Sequence, residues 1–261
     1  MAKIISFANQ KGGVGKTTSA VNVAASLGIL GFKTLLIDLD PQGNATSGLG
    51  ISKRGLSASS CELLLGENGN GEKVTAADCI VKTEFKGLSV IPSSIDLAGT
   101  EVRLVDLPCR EARLKEALGA VRSEYDFILI DCPPSLGLIT LNALVAADTF
   151  LVPIQCEYFA LEGLSQLMAT VRQIKRLYNQ YIDLEGVLLT MYDSRLNLTN
   201  QVVAEVKKYF PKKIYRSPSP RSVRLSEAPS FGQPITVYDK RSKGCAAYMD
   251  VASEIIKQNR S

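Results

Sequence analysis

Histidine is absent from this 261-residue chain. Its absence removes the commonest general base and the commonest metal ligand, so any hydrolysis must rest on carboxylates and on positioning. Cysteine is scattered: Cys61, Cys79, Cys109, Cys132, Cys156 and Cys245 include no CxxC pair. That spacing argues against a disulfide scaffold and a zinc ribbon, and fits reduced, mostly buried thiols. No apolar run approaches the roughly eighteen residues of a membrane span. The start, Met1-Ala2-Lys3, carries no signal-peptide or transit-peptide pattern, so a cytoplasmic location is expected. Neither an internal repeat nor a linker rich in Pro, Gly or Ser divides the chain, and one domain over residues 1–261 is expected. Hydrophobic content of 46% and charged content of 21% leave ample material for its core.

Acidic residues are missing from one stretch in particular. Between Lys207 and Arg224 stand Lys207, Lys208, Lys212, Lys213, Arg216, Arg221 and Arg224, with no Asp or Glu. The window carries +7 in a chain of net +4, so the remainder is at −3. Local basicity is the footprint of a polyanion partner, with a solvated helix end and loop as the plainer reading.

What is present alternates. The apolar runs Ile4–Ala8, Thr34–Asp38, Leu88–Ile91, Phe127–Asp131, Phe150–Ile154 and Leu184–Leu189 are too continuous for half-exposed antiparallel strands and read as buried ones. Helical patterns fall between them, at 16–30, 98–123, 138–147, 161–178, 199–209 and 244–258. Such alternation predicts an α/β fold of three layers, a doubly wound, mainly parallel sheet with helices on both faces. The segment from Gly66 to Gly71 reads as a surface loop, and Pro218 and Pro220 make the stretch from Pro211 irregular.

The first strand stops in Asn9-Gln10-Lys11-Gly12-Gly13-Val14-Gly15-Lys16-Thr17-Thr18. Glycines turn backbone amides inward, a lysine reaches the outer phosphates of a nucleotide, a hydroxyl holds Mg²⁺, and the next helix aims its positive end at the same anion. The usual P-loop has glycine where Gln10 stands, and a second lysine, Lys11, opens the loop. It is either a solvated loop lysine or a charge meant for a phosphate in another subunit. Two more motifs end strands: Asp38-Leu39-Asp40-Pro41-Gln42-Gly43, and Asp131-Cys132-Pro133-Pro134 after four apolar residues, the form of a Walker B segment. In an open parallel sheet all three motifs meet beyond the carboxyl ends of the strands. A lone strand-end aspartate can be only a helix cap or turn former; three beside a phosphate loop make that a poor common explanation. Thr17, Asp38 and Asp131 are the candidate Mg²⁺ ligands, directly or through water, and Asp40 the candidate for orienting the attacking water. No Asn-Lys-x-Asp segment occurs, which disfavours a GTPase.

Lys11-Gly12-Gly13-Val14-Gly15-Lys16-Thr17-Thr18 resembles the deviant Walker A motif of the ParA/MinD superfamily, with Lys11 as its signature lysine. Asp38-Leu39-Asp40-Pro41-Gln42-Gly43-Asn44 is similar to its second acidic motif. The segments Asp131–Gly137, Val152–Gly163, Arg224–Ser230 and Tyr238-Asp239 narrow the resemblance to the chromosome-partitioning ParA/Soj branch, over nearly the whole chain. The resemblance implies a DNA-segregation ATPase using ATP and Mg²⁺. It implies a nucleotide-bound homodimer in which each Lys11 reaches the partner's nucleotide and Gly12 allows the approach. It further implies nonspecific double-stranded DNA as a partner, a ParB/Spo0J-like centromere-binding protein as the stimulator, and a nucleoid-associated location. Lys16 and Thr17 carry over as phosphate and metal ligands, Asp40 as the hydrolysis residue, Arg195 and Arg224 as DNA contacts, and Pro220 as a wall of the adenine pocket. One departure touches the last assignment. Relatives commonly read Ile-Pro-Arg-Asn-Val where this chain has Ser219-Pro220-Arg221-Ser222-Val223.

Rival readings share the loop. A MinD-like membrane-associated cell-division regulator needs a basic amphipathic C-terminal helix, whereas residues 248–261 are of mixed charge. A metal-cluster reductase would bridge its dimer through cysteines, and Cys132 alone is a poor cluster site. A small-molecule kinase or synthetase would turn over a metabolite and ignore DNA. No helix-turn-helix pattern accompanies the loop, so sequence-specific operator binding is not expected.

Overall fold

A computed structural model describes residues 1–157 and 160–260. Its strands are β1 (Lys3–Phe7), β2 (Thr34–Asp38), β3 (Val81–Lys82), β4 (Leu88–Ile91), β5 (Phe127–Asp131), β6 (Thr149–Gln155) and β7 (Asp183–Thr190). The helices are α1 (Lys16–Ile29), α2 (Asn44–Gly48), α3 (Ser60–Leu65), α4 (Ala76–Cys79), α5 (Leu97–Val105), α6 (Arg113–Gly119), α7 (Leu138–Ala146), α8 (Ala160–Leu177), α9 (Asn197–Tyr209), α10 (Val223–Glu227), α11 (Ile235–Tyr238) and α12 (Lys243–Asn259). The seven strands lie in the order β3-β4-β2-β5-β1-β6-β7, all parallel except the edge pair β3–β4.

Alternation along the strands feeds two cores. Ile4, Leu35, Ile37, Ile128 and Ile130 point to the face covered by α3 and α5–α9. Ile5, Phe7, Leu36, Phe127 and Leu129 point to the face covered by α1 and α12. Helix α1 is buried nearly all round, because α12 lies over it and presses it onto the sheet. Burying side chains such as these stabilises by roughly 1.5–3 kcal/mol each relative to exposure.

The expected strands all form. The helical pattern over 98–123 does not make one helix: α5 ends at Val105, α6 starts at Arg113, and a 3₁₀ turn occupies Arg122–Glu124. Pro108 explains the break. It lacks an amide hydrogen and disfavours helix in the residue before it, and Cys109 then turns through a φ of 51°. No helix among the described residues is long and apolar enough to cross a membrane.

Candidate active site

Six of the seven strands run the same way, so their carboxyl ends share one edge, and the Gly-rich loop, Asp38 and Asp131 collect there. The loop leaves β1 and re-enters the fold at Gly15, the N-cap of α1. Gly13 and Gly15 take φ values of 73° and 82°, which side chains resist. Gly15 supplies no capping side chain, so the first-turn amides of α1 stay available to an anion. The loop is pinned from three sides. The Asn9 amide donates to Pro153 O at 2.8 Å, Asn9 Oδ1 accepts the Lys11 amide at 3.0 Å, and Thr190 Oγ1 donates to Val14 O at 2.8 Å.

Both lysines have defined positions. Lys16 is only 6% exposed, and its ammonium curls back onto Lys11 O at 3.0 Å. Burial lowers its pKa, opposed chiefly by the nearby Asp131 carboxylate and also by Asp40. A buried cation with one neutral acceptor is short of anionic partners, as a phosphate ligand should be before phosphate arrives. Lys11 points elsewhere: its ammonium pairs with Glu157 Oε2 at 2.5 Å, and both side chains are partly exposed.

The aspartates differ sharply. Asp38, fully buried, accepts the Thr46 hydroxyl at 2.7 Å, the Thr46 amide at 2.8 Å and the Asp40 amide at 3.2 Å. Burial still pushes its pKa up to about 6. Asp131 sits directly across the β2–β5 register from Asp38. It is fully buried, and neither carboxylate oxygen has a hydrogen-bond partner. Burial first, and Asp38 second, hold its pKa well above the usual carboxylate range, while the nearby Thr17 hydroxyl pulls it down. Asp40 closes a turn by accepting the Gln42 amide at 2.9 Å. Lys53, which sequence reading passed over, donates to Gln42 O on the same turn.

An orphaned, buried carboxylate beside a second carboxylate and a threonine hydroxyl is an incomplete oxygen ligand set. It suits a hard cation that keeps several waters and takes its other ligands from phosphate. Among the described residues no group of three or more His, Cys, Asp or Glu could hold a metal unaided.

Pro220 comes to the loop by an unexpected route. The irregular stretch after Pro211 runs beside β7, with Tyr215 N donating to Val187 O at 3.1 Å and Tyr192 N to Ser219 O at 3.0 Å. Pro220 thereby joins Gly15, Thr18, Thr190, Leu225 and Tyr248 around a cleft of about 300 Å³ that opens from the loop.

The basic stretch is less bare than its sequence. Lys208 pairs with Glu205, Lys213 with Asp183 at 3.2 Å, and Arg224 with Glu227 at 3.3 Å and Asp239 at 3.7 Å. Acids from outside the window neutralise part of its +7. Arg195 forms two bonds to Asp193, at 2.9 and 2.6 Å, which hold the Asp193 carboxyl down at about 2. Its side chain remains 86% exposed. The Arg224 guanidinium also faces the Tyr238 ring at 6.0 Å. Next to Asp239 lie Lys240, Arg241 and Lys243, all exposed and without an ion pair among the described residues. Three cations in four residues are a charge signal in the sequence outside the stretch from Lys207 to Arg224.

A Gly-rich loop that closes β1 onto α1, a buried lysine, and strand-end aspartates beneath it make this a P-loop NTPase fold of the ParA/MinD kind. A family model described as an AAA domain matches residues 2–184. The chain is 54% identical over 255 residues to the sporulation initiation inhibitor protein Soj of Bacillus subtilis, covering 98% of each. It is 51% identical to the chromosome partitioning protein ParA of Myxococcus xanthus, over 99% of this chain and 89% of that protein. A solved cobyrinic acid a,c-diamide synthase from Mycobacterium smegmatis, with bound ADP and magnesium, superposes with a TM-score of 0.86 at 36% identity, covering 100% of this chain and 96% of that one. The chain belongs to the ParA/Soj family of partition ATPases. Tyr158 and Phe159 of the family segment Val152–Gly163 lie outside the described residues.

Proposed function

We propose that this chain is a Mg²⁺-dependent ATPase that drives DNA segregation, switching between a free monomer and an ATP-bound, DNA-gripping dimer. The observation that carries the reading is the pair of unmet charges at the loop. Lys16 is buried without a carboxylate partner, and Asp131 is buried without a donor. A triphosphate with its metal satisfies both. Lys16 and the amides of Gly13, Val14, Gly15, Lys16, Thr17 and Thr18 would bind phosphate, and Thr17, Asp38 and Asp131 would hold Mg²⁺, directly or through water. Pro220 flanks the base. The bound metal supplies charge neutralisation on the phosphates during transfer. Asp40, on a turn stiffened by its own bond to the Gln42 amide, orients the attacking water.

Lys11 completes the site in trans. In the isolated chain its ammonium rests on Glu157. Dimer closure brings it to the partner's triphosphate, where it acts as an arginine finger does. Gly12 faces the seam. A Cβ there would meet only Pro134, at 3.8 Å, so space within one chain does not demand glycine.

The dimer binds nonspecific duplex DNA through Arg195, Arg224 and the exposed Lys240, Arg241 and Lys243. Phosphate contacts of this kind give salt-sensitive, sequence-independent affinity. A ParB/Spo0J-like protein then stimulates hydrolysis, and the cycle runs in the cytoplasm on the nucleoid. Helix α12 weighs against a membrane-bound regulator, because Tyr248, Val251, Ala252 and Ile255 are buried in the core it shares with α1. Gel filtration of the Asp40→Ala protein tests the reading. Mg-ATP should double its apparent mass, and duplex DNA should then co-elute; a monomer at saturating Mg-ATP sinks the proposal.

A further inference from the structure

The loop that begins at Asp131 ends at helix α7, whose N-cap is Gly137 and therefore offers no capping side chain. The first amides of a helix need partners, and an anion is favoured there. Helix α5 provides one from 38 residues upstream: Glu101 Oε1 accepts the Ile139 amide at 3.3 Å. The carboxylate lies tightly over Gly137, where a Cβ would fall 2.1 Å from Oε1. Helix α5 itself is fixed, with Leu97 and Leu104 fully buried and the Thr100 hydroxyl on Cys61 Sγ at 2.9 Å. From the first turns of α7, Thr140 Oγ1 donates back to Ser135 O of the loop at 2.7 Å. Next along the chain, Pro134 is the neighbour of Gly12.

We propose that Glu101 is a positioning residue for the phosphoryl-transfer site. By capping α7 it fixes the far end of the 131–137 loop, and so the setting of the Asp131 carboxylate toward Thr17 and of Pro134 at the seam. The inference rests on the Mg-ATPase reading for its catalytic consequence, and on geometry alone for the cap.

The two parts are tested together. Amide hydrogen exchange over residues 137–141 is measured in nucleotide-free protein, and the Mg²⁺ concentration giving half-maximal ATP hydrolysis in loaded protein. Glu101→Ala should speed exchange by roughly fivefold, the usual effect of losing a side-chain cap, and should raise the Mg²⁺ requirement several-fold. Glu101→Gln should stay near the parent on both readouts, since an amide oxygen accepts the same N–H. Gly137→Ala should reproduce Glu101→Ala, because its methyl group evicts the carboxylate while its φ of −74° suits alanine. The double variant should be no worse than either single one. Additive effects in the double variant, or parent-like exchange in Glu101→Ala, would overturn the proposal. A parent protein that shows no Mg-dependent hydrolysis would instead remove the functional reading, while the exchange measurements still decide the cap.

Discussion

Replacing Asp131 by asparagine should make the metal-free protein more stable while destroying its use of Mg-ATP. The carboxylate is buried, has no hydrogen-bond donor, and faces a second buried carboxylate across the strand pair. Burial and the neighbouring Asp38 raise its pKa, so holding it ionised at neutral pH works against the fold. A buried polar atom left unpaired costs about 1–3 kcal/mol. Asparagine keeps the shape, removes the ionisation cost, and can donate to Asp38. A net gain of about 2 kcal/mol is expected, or a melting temperature higher by about 4–8 °C for a chain of this size. The assay is thermal unfolding in EDTA and again with Mg-ATP. In EDTA the variant should melt above the parent. With ligand at a hundred times its Kd the parent gains about 2.7 kcal/mol and the variant gains little, so the order reverses. A variant that melts below the parent in EDTA, or that responds equally to Mg-ATP, would refute the assignment of Asp131 as an unfilled metal ligand.

Other residues make separable predictions. Lys16→Ala should fold, since it relieves a buried charge, yet lose ATP binding in calorimetry; retained affinity would move the phosphate site away from the loop. Gly12→Val should bind ATP with affinity near the parent and remain monomeric in light scattering, because the clash arises only between copies. Arg195→Glu should weaken duplex binding at low salt at least tenfold without disturbing the ATP-dependent dimer, and should flatten the dependence of log K on log salt by about one ion or more. Arg224→Glu should do the same, with a larger stability cost because Arg224 also contacts Glu227, Asp239 and Tyr238. Unchanged salt slopes in both would place the DNA face elsewhere.

Short, contiguous patterns in the chain carry much of the fold and of the candidate site. Three apolar residues running into Asp38 and four into Asp131 mark a buried parallel strand and its carboxyl end together, and the Gly-rich loop needs no tertiary context. The short helices α2, α3, α4, α10 and α11 span six residues or fewer and so show too little periodicity to be read. Strand β3 is two residues long. The break after Val105 was legible in Pro108, but the apolar residues on either side keep a helical spacing across it. Charge pairing was the main thing hidden. Asp183 reaches Lys213 from 30 residues away, and Glu157 reaches Lys11 from 146. The orphaned state of Asp131 was equally invisible, because it depends on what fails to surround it.

The central claim is that Lys11 serves the nucleotide of a second copy. The most direct measurement is a crystal structure of the Asp40→Ala protein with Mg-ATP. Two chains should lie face to face, each Lys11 ammonium off its Glu157 and within hydrogen-bond distance of the partner's triphosphate. A single ATP-loaded chain with Lys11 still resting on Glu157 would contradict it.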